Sequence, residues 1–209
     1  FGMRLEATVT YYRQEQHMSY ERTEAAMLAL HGMKISEGGI DKIMQRSGAK
    51  GLQKVEDIHR TVQQSPVVNS DETGDRVDGQ KSWHWVFCTL AAVLHVIKPS
   101  RGADVIRSVM GQHQAEVWGS DCLPSQLKAP ARFWQLCMAH QLRNLQAVIE
   151  LYPMALWAKA MKALFRYAIH LHNQRDKLFV KQYQIEIMRI EWLCDRLLAR
   201  VITQPEARK

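Results

Sequence analysis

Asp71 and Asp121 carry the strongest chemical signal in this chain. Each closes a stretch that reads as a short strand, Val67-Val68 for the first and Ala115 to Ser120 for the second. Two carboxylates at neighbouring strand ends are the minimum for a hard divalent cation, since Mg²⁺ takes oxygen ligands and keeps several waters. Two such ions about 4 Å apart activate a water or a 3′-hydroxyl and stabilise the leaving oxygen in phosphodiester chemistry. That chemistry needs a third carboxylate. Aspartate at a strand end also bonds its own backbone. A turn role for Asp71, and a turn or N-cap role for Asp121 ahead of Pro124, therefore stand beside the metal role. Cys137 and His140 lie one helical turn apart. A zinc site needs four ligands; Cys122 comes near in sequence and no fourth is evident. The pair reads as packing beside the cleft, with His140 orienting a carboxylate or phosphate.

For the two aspartates to meet, their strands must be neighbours. Ser65-Pro66 ends a helical region and Val67-Val68 opens the sheet. Asp78-Gly79 predicts a hairpin turn. Trp83 to Leu90 and Ala92 to Ile97 are the second and third strands. Trp83 and Trp85 share one strand face and read as core rather than base-stacking residues. Ser100-Arg101-Gly102 leads into a helix with Val105, Ile106 and Val109 inward. The crossover then sets the fourth strand, Ala115 to Ser120, parallel to the first, so that Asp71 and Asp121 enter one cleft.

Around this α/β sheet the chain is helical. Residues 1–66 read as helices: one carrying Leu5, Val9 and Tyr12, one capped by Ser19, one capped by Ser36 with Ile40, Ile43 and Met44 on one face, and one from Leu52 to Val62. The pair around His31-Gly32 has the pattern of a helix-turn-helix. After Pro130 the spacing predicts helices to the end. Two long amphipathic ones join near His172-Asn173, with a break at Tyr152-Pro153. The expected organisation is a helical, DNA-binding region over 1–66, an α/β core over 67–150 and a basic helical pair over 151–209.

Charge follows that division. Residues 1–66 carry 9 basic against 8 acidic side chains, residues 67–150 carry 8 against 8, and residues 151–209 carry 11 against 5. Nearly all of the net +7 thus sits in the last third, as expected either of a polyanion-binding face or of a solvated helical surface. Arg143, Lys159, Lys162, Arg166, Arg175, Lys177 and Lys181 are the candidate phosphate contacts. The longest apolar run, Val86 to Ile97, falls short of the roughly 20 residues of a membrane span and is interrupted by Thr89 and His95. The four cysteines form no CxxC pair, which suits reduced thiols in a cytosol. Phe1-Gly2 is not an initiator, so a piece of a longer chain is expected.

The string SDETGDRVDGQKSWHWVF, Ser70 to Phe87, resembles the opening of the catalytic core in insertion-sequence sixty-six transposases, of the DDE superfamily. EQHMSYER, ISEGGI, KPSRGADVI, Ser120-Asp121 and LCMAHQLRNLQ agree with it in order over nearly the whole chain. The resemblance implies a ribonuclease-H-like core with Asp71 and Asp121 as catalytic residues and Mg²⁺ (or Mn²⁺) ligands. Glu72 belongs to the same phrase, and the family's Cys-x-x-His with a following Arg matches Cys137, His140 and Arg143. It also implies metal-dependent DNA strand cleavage and transfer at transposon ends, in a bacterial cytoplasm, with self-association or other element-encoded proteins as partners. Two features depart from the pattern. After the second aspartate, where the family runs on to an aromatic residue, the sequence is DCLPSQ. The Asn-Asn-x-x-Glu-Arg phrase with the third acid does not occur, and Glu186, Glu191 and Glu206 lack its context. The expectation is therefore a C-terminally truncated transposase, inactive alone. The alternatives are a non-catalytic DNA-binding remnant that meets transposon ends or an intact transposase, and a helical scaffold for another protein.

Overall fold

The computed structural model describes residues 2–199. The order of elements is α1 (Met3–Gln14), α2 (Tyr20–His31), α3 (Glu37–Gln63), β1 (Val67–Val77), β2 (Gln80–Cys88), β3 (Val93–Lys98), α4 (Ala103–Met110), β4 (Ala115–Ser120), β5 (Ala131–Leu136), α5 (Met138–Leu151), α6 (Leu156–Asn173) and α7 (Val180–Leu198). The five strands form one mixed sheet in the order β3-β2-β1-β4-β5. β1, β2 and β3 are antiparallel neighbours, while β1–β4 and β4–β5 are parallel. The α/β class and the parallel setting of β4 against β1 are as the sequence implies.

Asp78 and Gly79 form the two-residue turn of the β1–β2 hairpin, with φ of 50° and 76°. Only residues that tolerate positive φ at both positions make such a turn, and its twist matches that of the strands. Alternation along β1 then sends Val68, Ser70 and Glu72 to one face of the sheet and Asn69, Asp71 and Thr73 to the other. The first face is packed. Val62, Val68, Trp85, Phe87, Ile106, Met110 and Trp118 are its buried centre. Phe87 stacks beside Trp85 and meets Trp118 edge-on, each at 6.1 Å between ring centroids.

Three elements differ from the sequence expectation. β1 does not stop near Val68 but runs through Asp71 to Val77, because its hairpin pairing with β2 continues after β4 has parted from it. β5 is a strand where helix was expected from Pro130 onward. It lies at the sheet edge with only Ala131 buried, and its adjacent Phe133 and Trp134 are both about half exposed, so it has no apolar alternation to read. The Ser36-capped helix and the helix over Leu52–Val62 are one 27-residue α3. Its glycines weaken a helix by about 1 kcal/mol each, but Ile40 and Ile43 are buried in one core and Val62 in the next, which holds both ends.

The N-terminal helices close their own core around Val9, Met27, Ile35, Ile40 and Ile43. Gly32, at φ 62°, ends α2, and Ser36 caps α3 through its Oγ. A further core joins α5 and α6 through Leu145, Val148, Ala158, Met161 and Leu164, with the partly buried Ile190, Leu193 and Leu197 of α7 packed against it. Among the described residues no helix is long and apolar enough to cross a membrane.

Candidate metal centre where β1 and β4 part

β1 and β4 are paired at only three positions, Val67 with Val117, Val68 with Trp118, and Asn69 with Gly119. Asp71 and Asp121 each lie two residues beyond the last of these pairs. Equal offsets in a parallel register put both aspartates at the same height and on the same face. The close approach at that last pair needs Gly119: a Cβ there would stand 2.1 Å from Asn69 Oδ1. Gly119 looks like a break in the strand pattern, yet it makes room for the amide that floors the cleft.

Each carboxylate is held by one oxygen. Asp71 Oδ1 accepts from the Glu72 amide at 3.0 Å, and Asp121 Oδ1 accepts from the Leu123 amide at 2.9 Å. The backbone bonding weighed as an alternative to metal binding is thus present, and it orients the carboxylates without using their second oxygens. The Cys137 amide donates to the Ser120 carbonyl at 2.6 Å, tying the end of β5 to the end of β4. α5 starts at Met138, and its first turn carries His140. Asp71, Asp121 and His140 each offer a ligand atom within 4.8 Å of the others. The cleft they share is about 320 Å³ and is also lined by Asn69, Ser120 and Cys137.

Glu72, beside Asp71, points through the sheet to the packed side. Its side chain is 1% exposed and bonds Arg101 at 2.9 Å. Gln126 Nε2 donates to Glu72 Oε2 at 2.7 Å and to Ser70 at 3.3 Å, while Gln126 Oε1 accepts from Trp118 Nε1 at 3.1 Å. Arg101 also covers the Trp83 ring at 4.5 Å. A fully buried Gln126 therefore pins the loop after Asp121 to the back of β1. Within DCLPSQ that glutamine is one polar residue in a polar loop, so no sequence signal marked it.

The remaining candidates lie elsewhere. Glu186 accepts from Tyr167 at 2.9 Å in a groove between α6 and α7; that bond raises the phenol above its ordinary pKa. Glu191 belongs to α7 and is not brought to the cleft, and Glu206 lies outside the described residues. Cys122 is exposed and accepts from Gln141; it does not join His140 in a ligand cluster. Arg143 is exposed on α5. Lys159, Lys162 and Arg166 recur at three- and four-residue spacing along one face of α6, with Lys162 donating to Gln146 on α5. Arg175 pairs with Asp176 at 3.3 Å, and Lys177 and Lys181 are exposed at the α6–α7 connection. None of these cations lines the cleft.

The donor set suits a divalent cation: two carboxylates with free oxygens and an imidazole converge, and His140 Nδ1 is shielded from solvent without a hydrogen-bond partner. A family model described as the transposase IS66 family matches residues 1–203. No curated protein matches the chain.

Proposed function

Because the chain belongs to the IS66 family of transposases, we propose that it engages transposon-end DNA and holds a divalent cation, Mg²⁺ or Mn²⁺, between Asp71 and Asp121. The observation that carries this reading is the equal two-residue offset of both aspartates from the Asn69–Gly119 pair. The strand order β3-β2-β1-β4-β5, antiparallel in its first three strands, supports a ribonuclease-H-like core. We assign that core to residues 67–150, with a helix-turn-helix DNA-contacting region in 1–66 and a basic helical unit in 151–209.

The chain's own residues do the following. The Glu72 and Leu123 amides each hold one carboxylate oxygen and leave the other without a hydrogen bond. Gln126 and Glu72 brace the loop that carries Asp121. Arg143 and the α6 stripe of Lys159, Lys162 and Arg166 contact phosphates, which positions DNA without reading its sequence; Arg175, Lys177 and Lys181 extend that surface. A bound cation supplies charge neutralisation at the scissile phosphate and activates the attacking oxygen. Self-association or other element-encoded proteins complete the assembly, in a bacterial cytoplasm.

One observation favours a second reading, that of a DNA-binding polypeptide without turnover. Among the described residues only two carboxylates meet in the cleft: Glu72 faces the core and Glu186 is engaged by Tyr167. The test is a nicking assay on an end-sequence duplex with Mg²⁺ or Mn²⁺. Binding without nicking supports the second reading. Nicking that Asp71→Ala abolishes establishes a complete active site and overturns it. Replacing Lys159, Lys162 and Arg166 together lowers the salt slope of binding by about 2–3, at roughly 0.9 per phosphate contact. Binding that ignores this triple change removes α6 from the DNA face.

A further inference from the structure

We infer that His140 is a nitrogen ligand of the ion held by Asp71 and Asp121, so that this centre prefers Mn²⁺ and Co²⁺ to Mg²⁺. The inference rests on the metal-binding reading above and adds the third donor and the class of ion.

The first argument is spacing. The three donor atoms lie within 4.8 Å of one another, yet His140 makes neither a hydrogen bond nor an ion pair with either carboxylate. Donors that share one ion at about 2.0–2.2 Å each stand roughly 3–4.4 Å apart. The three donors thus make no direct pair, and their separations are at most slightly wider than those of a filled coordination sphere.

The second argument is that the imidazole is otherwise unsatisfied. Nδ1 is shut off from solvent with no partner, and a buried polar atom left in that state destabilises the fold. Meanwhile each carboxylate is held through its Oδ1 and has a second oxygen without a hydrogen bond. A single cation in the cleft uses all three donors at once.

The third argument is rigidity. His140 sits in the first turn of α5, fixed to β4 by the bond from the Cys137 amide to the Ser120 carbonyl. It reaches the aspartates from the end of β5, the strand next to the one that carries Asp121. Donor chemistry then sets the ion. Mg²⁺ favours all-oxygen shells, whereas imidazole suits first-row transition metals, with Co²⁺ above Mn²⁺ in affinity.

The experiment uses the full chain, titrated with Mn²⁺, Co²⁺ and Mg²⁺ by calorimetry, with pulsed electron paramagnetic resonance of the Mn²⁺ form. Wild-type protein is expected to show ¹⁴N modulation from a directly bound nitrogen. His140→Gln is expected to remove it and to weaken Mn²⁺ and Co²⁺ by at least about tenfold, the low end for loss of even an outer partner, with Mg²⁺ nearly unchanged. Mn²⁺ bound in an Asp71-dependent way but without ¹⁴N modulation in the wild type overturns the inference and leaves the carboxylate site standing. So does Mn²⁺ affinity unmoved by His140→Gln. If Asp71→Asn does not reduce Mn²⁺ binding, the metal centre itself is refuted, and the role of His140 falls with it. The wild-type spectrum decides the ligand even if the His140 variant misfolds.

Discussion

Asp71 and Glu72 are consecutive carboxylates with opposite duties, and replacing each separates them. Glu72 lies behind the sheet, 1% exposed, against Arg101 and Gln126. Glu72→Ala leaves the amide of a fully buried Gln126 without its 2.7 Å partner, at a cost of about 1–3 kcal/mol. Arg101 is 44% exposed and turns to water, so its ion pair contributes about 1 kcal/mol or less. The one buried methylene that is lost adds about 0.8 kcal/mol. The expected loss is about 2–5 kcal/mol, and Tm falls by roughly 4–20 °C for a chain of this size. Asp71 is exposed and accepts only from its neighbour's amide, so Asp71→Asn stays within about 0.5 kcal/mol of wild type while losing the ion. Urea unfolding followed by tryptophan fluorescence reports on the core around Trp85 and Trp118, and Mn²⁺ titration reports on the site. A Glu72→Ala protein as stable as wild type, or an Asp71→Asn protein as unstable as Glu72→Ala, refutes this assignment of faces.

Gly119→Ala places a methyl group 2.1 Å from Asn69 Oδ1; the amide must swing into the cleft, so Mn²⁺ affinity is expected to fall while circular dichroism is retained. Glu6 takes hydrogen bonds from Lys50 and from Arg46, which hold its carboxyl below the usual value. A lowered folded pKa stabilises above the unfolded value and is lost as pH falls through the folded one. The Tm difference between wild type and Glu6→Gln should therefore hold above the unfolded value and shrink as pH falls below it through the lower, folded one; a difference that grows as the solution is acidified contradicts it. Burial, and then the Asp195 charge, push the Cys194 thiol above its ordinary pKa, whereas Cys122 is exposed. Iodoacetamide near pH 7.5, read by peptide mass, should label Cys122 first and Cys194 late.

Much of the site was legible in the sequence. Strand four, its parallel setting and the convergence of Asp71 with Asp121 followed from apolar runs and the handed crossover, both of which are local or topological rules. His140 was placed beside the cleft by its phrase, but the donor role proposed for it rests on the tie between Cys137 and Ser120, which belongs to the sheet and not to the helix. Glu72 read as part of the catalytic phrase; only the continuation of β1 past Asp71 sends it to the other face. Gln126 was silent because nothing in a polar loop tells which polar residue will be buried. β5 was read as helix for the opposite reason: Phe133 and Trp134, adjacent and both about half exposed on an edge strand, leave no period-two alternation to set it apart from the helices that follow.

α3 has one more consequence. Its first half belongs to the N-terminal core, and its last turns lie on the sheet core, where His59 and Gln63 both bond the Val109 carbonyl at 2.7 Å. A 27-residue helix is a rod about 40 Å long, so the two units are geared by its pitch. One residue inserted in its exposed middle would turn one unit against the other by about 100°, whereas four would nearly restore the phase. The length of α3 is in this sense an angular setting, and any DNA that spans both units meets them at that angle.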